Sequence, residues 1–487
     1  MEMSFIPRLV SCFTIVEPLT IRIENAFLNS GKEVEVQMTR NTLDKKTLEV
    51  LKQKMSEGLL PQWVLTDPEI YQLELQKVFG HTWQFLAHES EFKEPGSYVT
   101  RWMVNDPVLL VKNSAGEIKA FLNSCTHRGT HLCTADFGKK KTFTCAYHGW
   151  SYNTDGELIG IVAGDKVYGE EMDKSEWGLR PIPKVAMYQG MIFGNLDPDA
   201  ISLEEYLGDM KWYFDMLLGR SDGGMEVRGV PQRWVAQANW KSTSENFSAD
   251  PYHVQTAHRS TVEMGISPKD PLYAGYGHQV VMEHGHGINV ITSATGRSIH
   301  RYQSTPESMW PMFERNLTPE QADILSRTTV FVGGVYPNLS FVSPIHGTEG
   351  HLHNYLNFRV WRPLGPDKVE VWCWFMIDKA APEDYKQEAY KGYIGSFGTS
   401  GTLEQDDTEI WARVVQASKG LMVRDKELSY NNVSNYLMGF GHVDPDPSFP
   451  GPGVAYPTCY IDAISRSMHE YWLELITKDI NDSEEGC

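Results

Sequence analysis

Two tight residue pairs could hold a soft metal centre. They read Cys125-Thr-His127 and, after seventeen intervening residues, Cys145-Ala-Tyr-His148. Structural zinc sites usually use C-x2-C pairs, whereas here each pair contributes one thiolate and one imidazole. That split suits a [2Fe–2S] cluster with two thiolates on one iron and two imidazoles on the other. Neutral imidazoles raise its potential into the range of about −150 to +300 mV. Cys133 lies between the pairs and reads as a small buried apolar residue.

A second set begins at Asn239-Trp-Lys and runs through Glu245-Asn246-Phe247 and Asp250-Pro-Tyr-His253 to His258. Two histidines and one carboxylate on one face, with the opposite face open, suit a mononuclear iron that activates O2. His253 and His258 are five apart, about 140° around a regular helix, so a widened turn or a helix end is needed to join them. Asp250 and His253 are three apart and share a face, so Asp250 can accept the free ring N–H and fix the tautomer. The carboxylate must come from elsewhere. Gly401-Thr-Leu-Glu404-Gln-Asp406-Asp407 heads an expected helix, and an Asp there could equally serve as a cap. The pairs His284/His286 and His351/His353 are two apart and read as pocket-lining or surface residues, not ligands.

Several elements must position these residues. A polar helix is expected over Asn41–Glu57. Short strands and turns follow from Trp83 to about Asn195, including strands at Val108–Val111 and Ile118–Leu122. A helical region is expected at Leu203–Gly219. Strands are expected at Val227–Ala238, Gln279–Ile291, Leu339–Phe341, Tyr355–Trp361 and Val369–Ile377. Helices are expected at Pro382–Ile394, Asp406–Ala417 and Ile464–Thr477. The pattern gives an α+β chain: a small β domain (83–198) inserted into a catalytic domain (38–82 and 199–487), in which helices flank a large antiparallel sheet. Residues 1–37 read as a loose extension without a site.

The 487 residues carry a formal charge of −19, which disfavours nucleic acid as a partner. No apolar run reaches the roughly 18–20 residues of a membrane helix, and no signal peptide is evident. Seven scattered cysteines argue against a disulfide framework, so a cytoplasmic location is expected. Lys139-Lys140-Lys141 reads as a solvated turn or as a docking patch for an acidic ferredoxin.

The two cysteine–histidine pairs, with Arg128-Gly and Gly149-Trp150 beside them, resemble the Rieske domain of ring-hydroxylating oxygenases. From about Met38 onward, N-W-K, E-N, D-x2-H-x4-H and a distal D-D resemble the α subunits of naphthalene- and biphenyl-type dioxygenases. The resemblance implies that Cys125, His127, Cys145 and His148 hold the cluster, and that His253, His258 and Asp407 hold Fe2+. It implies that Asp250 bridges the two centres across a trimer and that Asn246 lies near the iron. It places Phe247, Asn338, Phe397 and Leu403 in the substrate pocket. Naphthalene-type members carry Trp at the position of Leu403, which implies extra room here. Implied partners are a small β subunit, a ferredoxin, an NADH-dependent reductase, O2 and an aromatic substrate, with a cis-dihydrodiol as product. The rival activities are a Rieske monooxygenase, such as an O- or N-demethylase, and a non-catalytic electron carrier.

Overall fold

The structure is a computed structural model, which describes residues 15–16, 20–22, 35–36, 43–169, 172–265, 275–296, 300–348, 351–424 and 432–484. Two compact units emerge, Met1–Leu43 and Asp44–Cys487. The described part of the first is a small antiparallel sheet of Ile15–Val16, Thr20–Arg22 and Glu35–Val36. The remainder of the expected 1–37 extension lies outside the described residues.

The larger unit opens with the helix Lys45–Ser56, whose N-terminus is capped by Asp44 accepting from the Thr47 amide at 2.9 Å. Three small antiparallel sheets then carry the cysteine–histidine loops. The first has the order Ile118–Leu122, Asp106–Lys112, Ser97–Met103, Phe137–Lys139. The second joins Thr142–Thr144, Ser151–Asn153 and Leu158–Gly160. The third joins Lys184–Tyr188, Met191–Asn195 and Gln84–His88. Tyr98, Leu109, Phe121, Phe143, Trp150 and Tyr152 pack into one apolar cluster with Cys125, Cys133 and Cys145, so the loops rest on a solid base. Cys133 is buried there, as its reading required.

A nine-stranded antiparallel sheet dominates the rest of the unit. Its path runs Met225–Val227, Lys368–Asp378, Leu356–Gly365, Leu339–Ser343, Val330–Val335, Gly287–Ile291, Gly277–Val281, Val454–Tyr456, with Gln232–Ala236 also paired to Lys368–Asp378. The helix Trp240–Ala249 packs across its central strands, and the C-terminal helix Ala463–Glu484 packs on that helix. Buried Glu74 joins these layers. It pairs with Lys241 and accepts from the indole N–H groups of Trp240 (2.8 Å) and Trp472 (2.9 Å). Breaking such a pair would strand a buried charge.

The expected α+β architecture is therefore present, with differences in detail. Leu203–Gly219 is two helices, Leu203–Leu207 and Met210–Leu218, separated at Gly208, whose φ of 48° ends the first. Gln279–Ile291 is a hairpin and not one strand. Its turn holds His284 at φ 58°, and the His284 and His286 rings both approach the Tyr206 carbonyl (3.1 and 2.9 Å). The second long helix starts at Thr402, earlier than expected.

Candidate metal centres

The two cluster loops are built alike. In each, the amide of the glycine four residues after the cysteine donates to the cysteine carbonyl: Gly129 to Cys125 at 2.8 Å and Gly149 to Cys145 at 3.0 Å. Both glycines have positive φ (78° and 73°), which a side chain would oppose. The turns bring the His127 and His148 rings to 4.5 Å between centroids, and His127 stacks on Trp150 at 4.8 Å. Nδ1 of each histidine is buried without a hydrogen-bond partner, and Cys125 and Cys145 are buried free thiols. Burial pushes the Cys125 thiol up; the Tyr152 hydroxyl, 3.2 Å away, opposes this, and the neighbouring Cys145 reinforces it. Two buried, unpartnered ring nitrogens and two buried thiols are what an iron–sulfur group satisfies.

The second centre depends on a broken helix. Trp240–Ala249 ends at Asp250 (φ −114°, ψ 76°). The Asp250 carboxylate then caps a 3-10 turn, Pro251–His253, accepting from the amides of Tyr252 (3.0 Å) and His253 (3.3 Å). His253 closes that turn, and His258 is the C-cap of the short helix Val254–Ala257 that follows. A helix end and not a π-type turn therefore brings the histidines together, with His253 Nε2 3.3 Å from His258 Nε2. Asp407 arrives from Thr402–Ser418, its Oδ1 3.5 Å from His253 Nε2 and 3.1 Å from His258 Nε2. The three ligand atoms lie within 4.8 Å of one another, and Asp407 Oδ1 is buried with no hydrogen-bond donor. Burial would raise the Asp407 carboxyl, but the adjacent His258 and His253 bring it below the ordinary value. Two imidazoles and an ionised carboxylate fit Fe2+.

Because Gly401 is the N-cap and Asp407 lies on the buried face beyond the first turn, the capping role considered for the acidic pair does not apply. Asp406 has a different contact: its Oδ2 lies 3.3 Å from His258 Nδ1, which fixes that ring's orientation. The sequence reading did not assign it this contact, although its place beside Asp407 was the available signal. His253 Nδ1–H donates chiefly to the Asp250 carbonyl, while the Asp250 carboxylate is 3.5 Å away, so the backbone takes most of the tautomer-fixing role expected of the side chain.

A cavity enclosing about 770 Å³ of empty space, its mouth included, ends on these ligands. Asn246, Phe247, Phe397 and Leu403 line it, beside Ile291, Val330, Val332, Val342 and Ile345. Asn246 is held by the Trp411 indole N–H at 3.0 Å. Asn338 is not on the wall. It is buried elsewhere, donating to the Trp361 carbonyl at 3.3 Å, and is a correction to the expected pocket. His284, His286, His351 and His353 also lie off the wall. Thr329 and His346 are on it, and sequence gave no sign of either. The His346 ring stacks on Phe397 (5.3 Å, 8°), and burial, with His258 nearby, lowers it to about 4.

The comparisons with known proteins agree with this geometry. Residues 82–169 match the Rieske [2Fe-2S] domain, and residues 203–474 match the ring hydroxylating alpha subunit (catalytic domain). The chain is 34% identical over 429 residues to the chlorobenzene dioxygenase subunit alpha of Cupriavidus sp. (strain PS12), covering 85% of this chain and 90% of that one. It is 31% identical to the N,N-dimethyl phenylurea N-demethylase subunit alpha of Sphingobium sp. (strain YBL2), covering 88% and 94%. The crystal structure of naphthalene 1,2-dioxygenase from Rhodococcus sp. bound to indole superposes with a TM-score of 0.84 at 42% identity, covering 89% and 98%. With both domains matched in this order and both ligand sets assembled, the chain belongs to the ring-hydroxylating oxygenase alpha subunits, with a Rieske [2Fe–2S] cluster and a mononuclear iron as its cofactors.

Proposed function

We propose that this chain is the terminal oxygenase subunit that cis-dihydroxylates an aromatic hydrocarbon with O2 and NADH-derived electrons. The carrying observation is the apolar cavity that ends on His253, His258 and Asp407. A cluster held by Cys125, His127, Cys145 and His148 would supply single-electron delivery, and Fe2+ held by His253, His258 and Asp407 would supply O2 activation. The protein's part is positional. The Asp250 carbonyl and Asp406 orient the two imidazoles. Phe247, Phe397 and Leu403 present flat apolar surface to a ring and keep water from it. Asn246, restrained by Trp411, offers an amide at the metal end.

The finer partners belong to the same proposal: a small β subunit, an acidic ferredoxin and its reductase, all in the cytoplasm. Lys140 and Lys141 are exposed beside the cluster-bearing sheets and suit the ferredoxin. No helix among the described residues is long and apolar enough to cross a membrane. Asp250 is proposed as the bridge between centres of adjacent copies, meeting His148 of a neighbouring subunit. Its Oδ1 is used by its own turn, but its side chain is only about two-thirds covered, and large apolar side chains around the cluster (Tyr147, Val162, Trp177) are exposed. Exposed apolar groups so clustered suit an interface.

The test is conversion under 18O2 of a panel of one- to four-ring aromatics with the electron-transfer partners present. A diol carrying two labelled oxygens is expected. The similarity to an N-demethylase subunit favours the second reading, monooxygenation. A single labelled oxygen, or dealkylation without ring diol, would establish that one instead.

A further inference from the structure

Away from the metal end the cavity wall is apolar apart from three residues: Thr261, whose hydroxyl is spent on the His258 carbonyl (2.7 Å), and Thr329 and His346, each with a hydrogen-bonding position unfilled. Thr329 is 1% exposed, and its Oγ1 has no partner. Valine would fill the same volume without leaving a polar atom unpaired, so the hydroxyl is a cost the empty cavity does not offset. His346 is 5% exposed, and a chain of donors fixes its tautomer. The Ser396 hydroxyl donates to the Gly392 carbonyl at 2.7 Å. Ser396 Oγ therefore accepts the Tyr355 hydroxyl proton at 2.8 Å. The Tyr355 oxygen is then the acceptor for His346 Nδ1–H at 3.2 Å. Nε2 of the neutral ring is left as a lone-pair acceptor. Gln303 holds both strand ends in place by donating to the carbonyls of Thr329 (3.1 Å) and Ser343 (2.8 Å), the latter three residues before His346.

We infer that Thr329 and His346 form a polar subsite within the aromatic cavity, selecting substrates whose ring carries a hydrogen-bond donor, a phenolic hydroxyl or a ring N–H. The subsite rests on the reading of this cavity as the aromatic site. An acceptor nitrogen rewards O–H and N–H groups and gives nothing to a bare hydrocarbon. The threonine hydroxyl can donate to the oxygen of a phenol. Flat stacking of His346 on Phe397 holds the acceptor rigid, so little freedom is lost when a ligand meets it.

The experiment measures binding to the metal-loaded holoenzyme, with naphthalene and 2-naphthol as the two probes, by fluorescence titration. Turnover of naphthalene is followed in parallel. In the unaltered protein, 2-naphthol should bind more tightly than naphthalene. Thr329→Val and His346→Phe should each lower the 2-naphthol to naphthalene affinity ratio by about five- to tenfold, the scale of one hydrogen bond. Thr329→Ser, which restores a hydroxyl, should recover the ratio. An unchanged ratio in both variants, or equal weakening of both probes, overturns the subsite. If the ratio shifts as stated while naphthalene yields no ring diol, the subsite stands and the dihydroxylation reading falls. If naphthalene is dihydroxylated and the ratio does not move, the reverse holds.

Discussion

Asp406 and Asp407 are neighbours with different contacts, and single substitutions separate them. Asp407→Ala should lose the mononuclear iron and all activity while the cluster remains, so that iron falls from about three to about two atoms per chain. Asp406→Asn should retain the metal more weakly, with activity down about 10- to 100-fold, the usual scale for a residue that orients a ligand. Iron analysis with electron resonance distinguishes the two. Cys125→Ser should abolish the cluster's resonance signal and leave the catalytic sheet folded, checked by circular dichroism. The proposed cysteine and histidine ligands were legible because metal chemistry demands particular side chains at short spacings, and those spacings survive in the linear sequence. Asp407, far along the chain from His258, could equally have been a helix cap and was assigned only through resemblance. Asp406 needed one more fact, the direction from which His258 approaches. Asn338, assigned to the pocket through resemblance, hydrogen-bonds Trp361 instead. Thr329 stands just before the strand Val330–Val335 of the large sheet and His346 lies in the separate short strand Ile345–Thr348, and no local pattern in the sequence marks either as facing the cavity.

Among the elements, the helix Thr402–Ser418 has the least local reason to be where the site needs it. Arg359, fully buried on the central sheet, pairs with Glu404 one turn before Asp407 and donates to the Phe397 carbonyl at 3.1 Å. Glu404→Ala should destabilise the protein by about 3–5 kcal/mol, because the guanidinium loses its partner where water cannot reach it. Iron affinity should fall with it. Denaturant titration of the apoprotein separates the two losses. The helix Trp240–Ala249 carries a pH-dependent group. Burial pushes the Glu245 carboxyl up to about 8, with Tyr436 donating to it at 2.8 Å in partial opposition. The native state thus keeps a proton that the unfolded chain releases at ordinary carboxyl values. Stability from this group is full below about 4.5, declines as pH rises, and is gone above about 8. Glu245→Gln should flatten that slope and raise Tm relative to the parent most clearly above pH 8, as thermal melts across pH 5–9 would record. Element types were legible from periodicity, since the long strands and helices repeat apolar residues at the right interval. The breaks were not. The apolar pattern continues through Gly208, and the short polar stretch Glu283-His-Gly-His286 was read as part of one strand when it is a hairpin turn.

On the scale of the molecule, the α+β architecture followed from the order of β-rich and helical stretches. The nine-stranded path did not: four of its pairings join consecutive strands, but Met225–Val227 and Gln232–Ala236 pair with the distant Lys368–Asp378, and Gly277–Val281 with the distant Val454–Tyr456. Electron traffic belongs to this scale. Asp250→Asn should leave both metal centres bound and any trimer intact while slowing cluster reoxidation by about 100-fold or more, if the carboxylate is the link between copies. Single-turnover oxidation with substrate and O2 reads this directly; reoxidation at the parent rate would reduce Asp250 to a turn cap. The cluster ligands span residues 125 to 148, whereas the iron ligands come from two segments, at 253–258 and at 407. During synthesis the cluster loops can therefore close early. The two histidines emerge on the order of ten seconds or more before the aspartate that completes their set. In that interval the nascent chain displays a pair of imidazoles without the carboxylate that suits iron, and copper or zinc would bind such a pair more strongly. A chain loaded in that interval would carry the wrong metal in the second centre, and metal analysis of protein made in copper- or zinc-rich medium should find it there.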